Sequence, residues 1–320
     1  HVAVRRQRQM CIRDRNNLVK NFFKFSILIA AMLFCLGFSS PSVDKSTISP
    51  NFSQGIDYLR QEKYQEAIVQ FTQVINDKSQ WMAFAYSNRC LAHLQLNNNQ
   101  AAKRDCEKAL EMNSDNMEAY LNKGLADYRM ENYHQSLAAY QEVIKRQKGD
   151  YRAYYNQGLV HFQLGNYQQA LNSYDQALEI DQDYSLEHKT LIYHDRALAH
   201  LKLEDFSRAI ANLTHLLILN PKNEQAYYQR GYAYQKSGDH KAAFQDFTEV
   251  ITLNPQSTNA YINRGISAAI LGFQDFAWQN FKIALAQFEE QNNQIGYKQT
   301  LKLMLKFKQV TSNSYQPPIG

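Results

Sequence analysis

The sequence predicts an all-α chain, a solenoid of seven helix-turn-helix hairpins followed by a C-terminal capping helix. With only 12 Gly and 6 Pro in 320 residues and few β-branched runs, the composition favours helices. Small residues recur in one column at Gly55, Cys90, Gly124, Gly158, Ala197, Gly231 and Gly265, spaced 35, 34, 34, 39, 34 and 34. Two further columns keep the same intervals: Ala67, Ala102, Ser136, Ala170, Ala209, Ala243, Ala277, and the mostly large Phe71, Cys106, Tyr140, Tyr174, Leu213, Phe247, Phe281. Independent helices have no reason to share one irregular interval, so the chain is an array with a period of 34 residues.

Residues 1–42 form a leader. The stretch 25–38 is 14 residues without a charge, preceded by Lys20 and Lys24 and followed by Ser39, Ser40 and Pro41. This is the layout of a secretory signal, with cleavage expected after Ser42. An uncleaved anchor and a buried helix stay open, although 14 residues are short of the ~20 a spanning helix needs. Residues 1–15 begin with His1 and match neither a helix cap nor a targeting motif; we expect them to be a sequencing artefact. The leader also carries the excess charge. It holds seven basic residues and one acid, leaving 28 basic and 29 acidic side chains in residues 43–320. A body with a net charge of −1 offers no phosphate-tracking surface, and no nucleic-acid partner is expected.

Residues 43–291 hold the array. In each unit an aromatic such as Tyr86, Tyr120, Tyr154, Tyr227 or Tyr261 precedes the small residue by four positions, which puts both on one helix face. A turn follows, as at Gly165–Tyr167 and Gly238–His240, and then a second amphipathic helix. Pro221 and Pro255 close two units where a helix must stop. The small positions let paired helices approach, and the large column fills the space they leave. The interval of 39 marks five extra residues near Ser185–Lys189, which either lengthen the first helix of the fifth unit or add a loop. A stack of hairpins exposes an apolar end, so a cap is required. Residues 292–313 supply it through a stripe of Tyr297, Leu301, Met304 and Leu305, with lysines opposite. Residues 314–320, with Pro317 and Pro318, form a loose tail.

These columns resemble the tetratricopeptide repeat family, in the wording of bacterial and particularly cyanobacterial members. The units run over 48–81, 83–116, 117–150, 151–184, 190–223, 224–257 and 258–291. Cys90 replaces the usual Gly or Ala, Cys106 and Leu213 replace the aromatic, and most units lack the closing Pro. The resemblance implies a right-handed superhelical solenoid whose first helices line a concave groove.

Two columns on the first helix carry the binding expectation. Two positions before each small residue stand Ser53, Asn88, Asn122, Asn156, Asp195, Gln229 and Asn263; one position after stand Ile56, Leu91, Leu125, Leu159, Leu198, Tyr232 and Ile266. Three residues apart, they are neighbours on the helix surface. Side-chain amides can donate to and accept from a peptide backbone while the apolar row contacts its side chains. The polar column looks like the asparagine ladder by which some superhelical members hold extended peptides. We expect the groove residues to be Asn88, Leu91, Asn122, Leu125, Asn156, Leu159, Gln229, Tyr232, Asn263 and Ile266, and the partner to be another protein or peptide. The bland alternative is that the amides serve contacts between adjacent repeats.

Other chemistry is not legible. No nucleophile elbow, glycine-rich phosphate loop or catalytic lysine motif occurs, so no enzyme and no cofactor are expected. His188, His194 and His200 lie six apart and diverge around a helix, and no metal-ligand spacing is present. His93, His161 and His200 take a position usually filled by Tyr and are expected to pack. Cys90 and Cys106 sit on the facing helices of one hairpin, either as a disulfide or as two buried thiols. Arg89 and Arg230, adjacent to small positions, are expected to pair with Asp105 and Asp246 on the second helices of their hairpins. The chain is expected to be exported to a periplasm or lumen, or tethered to a membrane by residues 25–38 alone.

Overall fold

The computed structural model describes residues 49–180 and 186–313, with side chains through Phe307. The leader, residues 181–185 of the insertion and the tail 314–320 lie outside the described residues. All regular structure among these residues is α-helical. The helices are α1 (Pro50–Arg60), α2 (Tyr64–Asn76), α3 (Met82–Gln95), α4 (Asn99–Met112), α5 (Met117–Arg129), α6 (Tyr133–Arg146), α7 (Tyr151–Gln163) and α8 (Tyr167–Ile180). They continue as α9 (Leu186–Lys202), α10 (Phe206–Leu219), α11 (Glu224–Ser237), α12 (His240–Leu253), α13 (Thr258–Ile270), α14 (Gln274–Glu290) and α15 (Gln294–Asn313). The chain divides into two compact units, one ending at Leu164 and the other starting at Gly165.

Sequence sets the helix ends in a repeating way. Asn116, Asp150, Asp205, Asn223 and Asp239 each accept a hydrogen bond from a backbone N–H of the first helical turn, supplying a partner that the helix itself lacks. Each hairpin reverses through one left-handed residue: Glu62, Asn97, Glu131, Gly165, Glu204, Gly238 and Gly272, with φ between 57° and 90°. Only three of the seven are glycine, so the other four hold a conformation costing an L-residue about 1 kcal/mol.

In four of the described hairpins a glycine of the small column meets a ring of the large one. A Cβ built on Gly124 would lie 2.6 Å from the Tyr140 ring, and one on Gly55 would lie 2.6 Å from Phe71. Gly231 and Gly265 stand in the same relation to Phe247 and Phe281. These rings are fully buried, and they rest on backbone because no side chain intervenes. In the second hairpin the two positions are joined covalently, Cys90 to Cys106.

Between hairpins the basic column forms a second repeating contact. Arg89 Nε and Nη2 donate to Asp105 Oδ2 and Oδ1 at 2.7 and 2.8 Å, and Nη1 donates to Thr72 Oγ1 on the preceding hairpin at 2.9 Å. Arg230 repeats this with Asp246 at 2.9 and 2.8 Å and with Thr214 at 3.1 Å. Both expected pairs are present, and each arginine ties three helices together. The same register holds Lys123 to Glu107, Gln157 to Gln141, Arg196 to Asp175 and Arg264 to Thr248. Burial pushes the Asp246 carboxyl up while the Arg230 guanidinium pulls against it. Lys123 also joins Lys103 in neutralising Asp127, a carboxylate with no solvent exposure, at 3.0 and 2.7 Å.

Two expectations are refined. Helix α9 has 17 residues against 14 in α3, so the described part of the insertion lengthens the first helix of its unit. The cap packs through a different face from the expected stripe. Met304 and Thr300 are buried, with Leu303 and Phe307 against the cluster around Phe281, whereas Leu301 and Leu305 face outward. Met304 is the member of the expected stripe that reaches the core, because Leu301 and Leu305 sit on the neighbouring rows of the helix.

Candidate functional site

The candidate site is built on the first helices of the hairpins, and each unit presents its own portion. In the first unit, Asn88 on α3 is half-buried and its Nδ2 donates to the carbonyl of Phe84 one turn back, at 2.8 Å. Asn156 on α7 is also half-buried. Asn122 on α5 is 4% exposed, and Leu125 and Leu159 are 5% exposed. These three side chains are buried, so they present little surface on the expected groove wall. Leu125 belongs to the cluster formed with Cys90, Leu94 and Ala119, and Leu91 packs against the cluster of the hairpin before it. Spacing places both columns on one helix face, but the adjacent hairpin covers part of that face. Leu91 and Leu125 therefore contribute to packing between hairpins.

The second unit is more open. On α11, Tyr232 is 39% exposed, with the Lys236 ammonium 5.5 Å from its ring centre. Gln229 lies three residues earlier on the same face, and its Oε1 is buried without a hydrogen-bond partner. An acceptor left in that state costs ~1–3 kcal/mol. On α13, Asn263 Nδ2 donates to the Tyr228 hydroxyl at 2.9 Å, and its backbone carbonyl accepts from Gln235 Nε2 at 3.1 Å. Ile266 is half-buried against the terminal cluster. The structure thus brings Gln229 and Tyr232 together on an accessible face and uses Asn263 to connect α13 to α11.

The histidines of the Tyr position pack inward. Burial lowers the affinity of His93, His161 and His200 for a proton, with Asp105 and Asp205 pulling the other way at His93 and His200. Among the described residues no group of three His, Cys, Asp or Glu side chains is arranged to hold a metal ion, and no helix is long and apolar enough to cross a membrane.

Family models of the tetratricopeptide repeat match residues 85–116, 121–185 and 224–257. The chain holds tetratricopeptide repeats over these three stretches, set in an all-α array whose described hairpins share their register. It is similar in fold to YrrB, described as a TPR protein with an unusual peptide-binding site, at a TM-score of 0.54 and 21% identity over 62% of this chain and 97% of that one. The C-terminal part of a TPR protein from Cytophaga hutchinsonii aligns at a TM-score of 0.63 and 16% identity, covering 77% of this chain and 98% of that one. A tetratricopeptide repeat protein from Parabacteroides merdae aligns at 0.54 and 19%, covering 80% and 97%. No curated protein sequence is similar enough to match.

Proposed function

We propose that this protein is a non-catalytic scaffold or assembly factor that holds an extended segment of another protein along the first helices of its hairpins. The observation that carries this reading is the open ring of Tyr232 beside the half-buried amide of Gln229 on one helix face. A side-chain amide donates to and accepts from a peptide backbone, and the ring offers apolar contact to the adjoining side chain. Asn88, Leu91 and Asn156 are the corresponding half-buried positions of the first unit. The peptide-binding site described for YrrB supports the reading through the shared fold.

The same proposal puts the protein in an oxidising compartment, a periplasm or lumen, reached through or tethered by residues 25–38. The buried Cys90–Cys106 disulfide supports it, since such bonds persist where thiols are not kept reduced.

Selection of peptides from a random displayed library on the immobilised chain tests the binding reading. Selected peptides should lose about tenfold in affinity for a Gln229→Ala/Tyr232→Ala variant. Equal affinity for both proteins would remove this face from the site. A second reading is favoured by α15, where Ile295, Leu301 and Leu305 stand exposed: a structural module that self-associates and has no groove ligand. Sedimentation of the chain and of a Leu301→Ser/Leu305→Ser variant separates the two.

A further inference from the structure

Arg264 departs from the pattern of its column. In hairpins two and six the arginine is bound through two parallel hydrogen bonds by an aspartate sixteen residues on, Asp105 for Arg89 and Asp246 for Arg230. In hairpin seven that position is Asn280. Its Oδ1 accepts from Arg264 Nε at 2.9 Å, while its Nδ2 donates to the Phe276 carbonyl at 2.7 Å. An amide nitrogen has no lone pair to accept with, so Arg264 Nη2 receives no counterpart of the bond that Arg230 Nη2 makes. Among the described residues no carboxylate lies within ion-pair distance of this guanidinium. The cation is held instead among three rings, 5.1 Å from Phe276, 5.5 Å from Tyr261 and 5.9 Å from Phe244.

We propose that Arg264 and its ring of aromatics form a docking site for an acidic side chain of a partner protein. The occupant's carboxylate accepts from Nη2, the donor that Asn280 leaves without an acceptor, while Nε keeps its bond to Asn280 Oδ1. Charge complementarity selects a Glu or Asp. The surroundings select its neighbours: Phe276 is partly exposed and Phe273, three residues before it, is 59% exposed, so the acid is carried on an apolar segment. Burial without a carboxylate weakens the hold of Arg264 on its proton, whereas the bonds that Arg230 donates to Asp246 strengthen its own. Arg264 reaches Thr248 on α12 and Asn280 on α14, which puts this site against the second helices of the hairpins, separate from the Gln229 and Tyr232 face.

The test compares a fluorescein-labelled heptapeptide bearing one glutamate among leucines with the same peptide bearing glutamine, titrated against the full chain. The glutamate peptide should bind about tenfold more tightly. Asn280→Asp, which installs the pair that hairpin six already tolerates, should abolish that preference while the protein stays folded, and Arg264→Gln should do the same. Gln229→Ala/Tyr232→Ala should leave it intact, so failure here is distinguishable from failure of the peptide-groove reading. Equal binding of the two peptides, or a preference that survives Asn280→Asp, would overturn the proposal.

Discussion

Cys90 and Cys106 are disulfide-bonded at the two positions that the other hairpins give to a small residue and the large side chain packed on it. The bond replaces ring-on-backbone packing by a covalent link between α3 and α4. Both cysteines are fully buried, so neither exchanges readily with an external thiol in the folded state.

This equivalence makes the bond replaceable. Cys90→Ser/Cys106→Ser removes a cross-link closing 16 residues and should cost about 3 kcal/mol. Cys90→Gly/Cys106→Phe, which installs the pair found in hairpins one, six and seven, should recover most of that loss without a disulfide. Urea midpoints of the three proteins check it, and a Gly/Phe variant no more stable than the double serine would break the equivalence.

The converse holds at Gly124. A side chain there runs into the Tyr140 ring, which is fully buried and cannot yield. Gly124→Leu should destabilise the protein by about 2–3 kcal/mol. Adding Tyr140→Ala should recover part of this by opening the space, as seen in the thermal midpoint.

The hairpins, their register and the Arg89–Asp105 and Arg230–Asp246 pairs were legible because packing writes them as columns of fixed size or charge. The left-handed turn positions were not. Glu62, Asn97, Glu131 and Glu204 give no outward sign of a positive φ, and only the shared interval with Gly165, Gly238 and Gly272 could have exposed them. The polar column of Thr72, Glu107, Gln141, Asp175, Thr214 and Thr248, which meets the next hairpin, was also there to be read, but its mixed chemistry hid a common role. Closure of Asn122, Leu125 and Leu159 depends on how tightly one hairpin covers its neighbour, which spacing along a single helix does not encode.

The turn positions carry a stability prediction. Glu131 adopts φ 62° at the tip of the third hairpin, a conformation glycine enters without a clash. Glu131→Gly should stabilise the protein by about 0.5–1 kcal/mol, net of the extra freedom glycine gives the unfolded chain. Gly238→Glu, the reverse change at φ 90°, should destabilise it by a similar amount. Chemical denaturation of both variants checks the sign.

Acid should weaken the fold before the exposed carboxylates titrate. His93, His161 and His200 all have proton affinities lowered by burial. Their folded-state values lie below the ordinary imidazole value of about 6.5, so the unfolded chain takes up protons first as pH falls. Stability is therefore fully present above about pH 7 and declines as pH drops through 6.5 toward the folded-state values. His161 isolates the effect, because burial is the sole cause of its shift and its Nδ1 is buried without a partner. Tyr58 and Tyr234 fill the corresponding position in hairpins one and six. His161→Tyr should leave the urea midpoint at pH 7.5 close to that of the parent and reduce the loss on going to pH 5.5. A loss of the same size in both proteins would show that His161 contributes nothing to acid sensitivity.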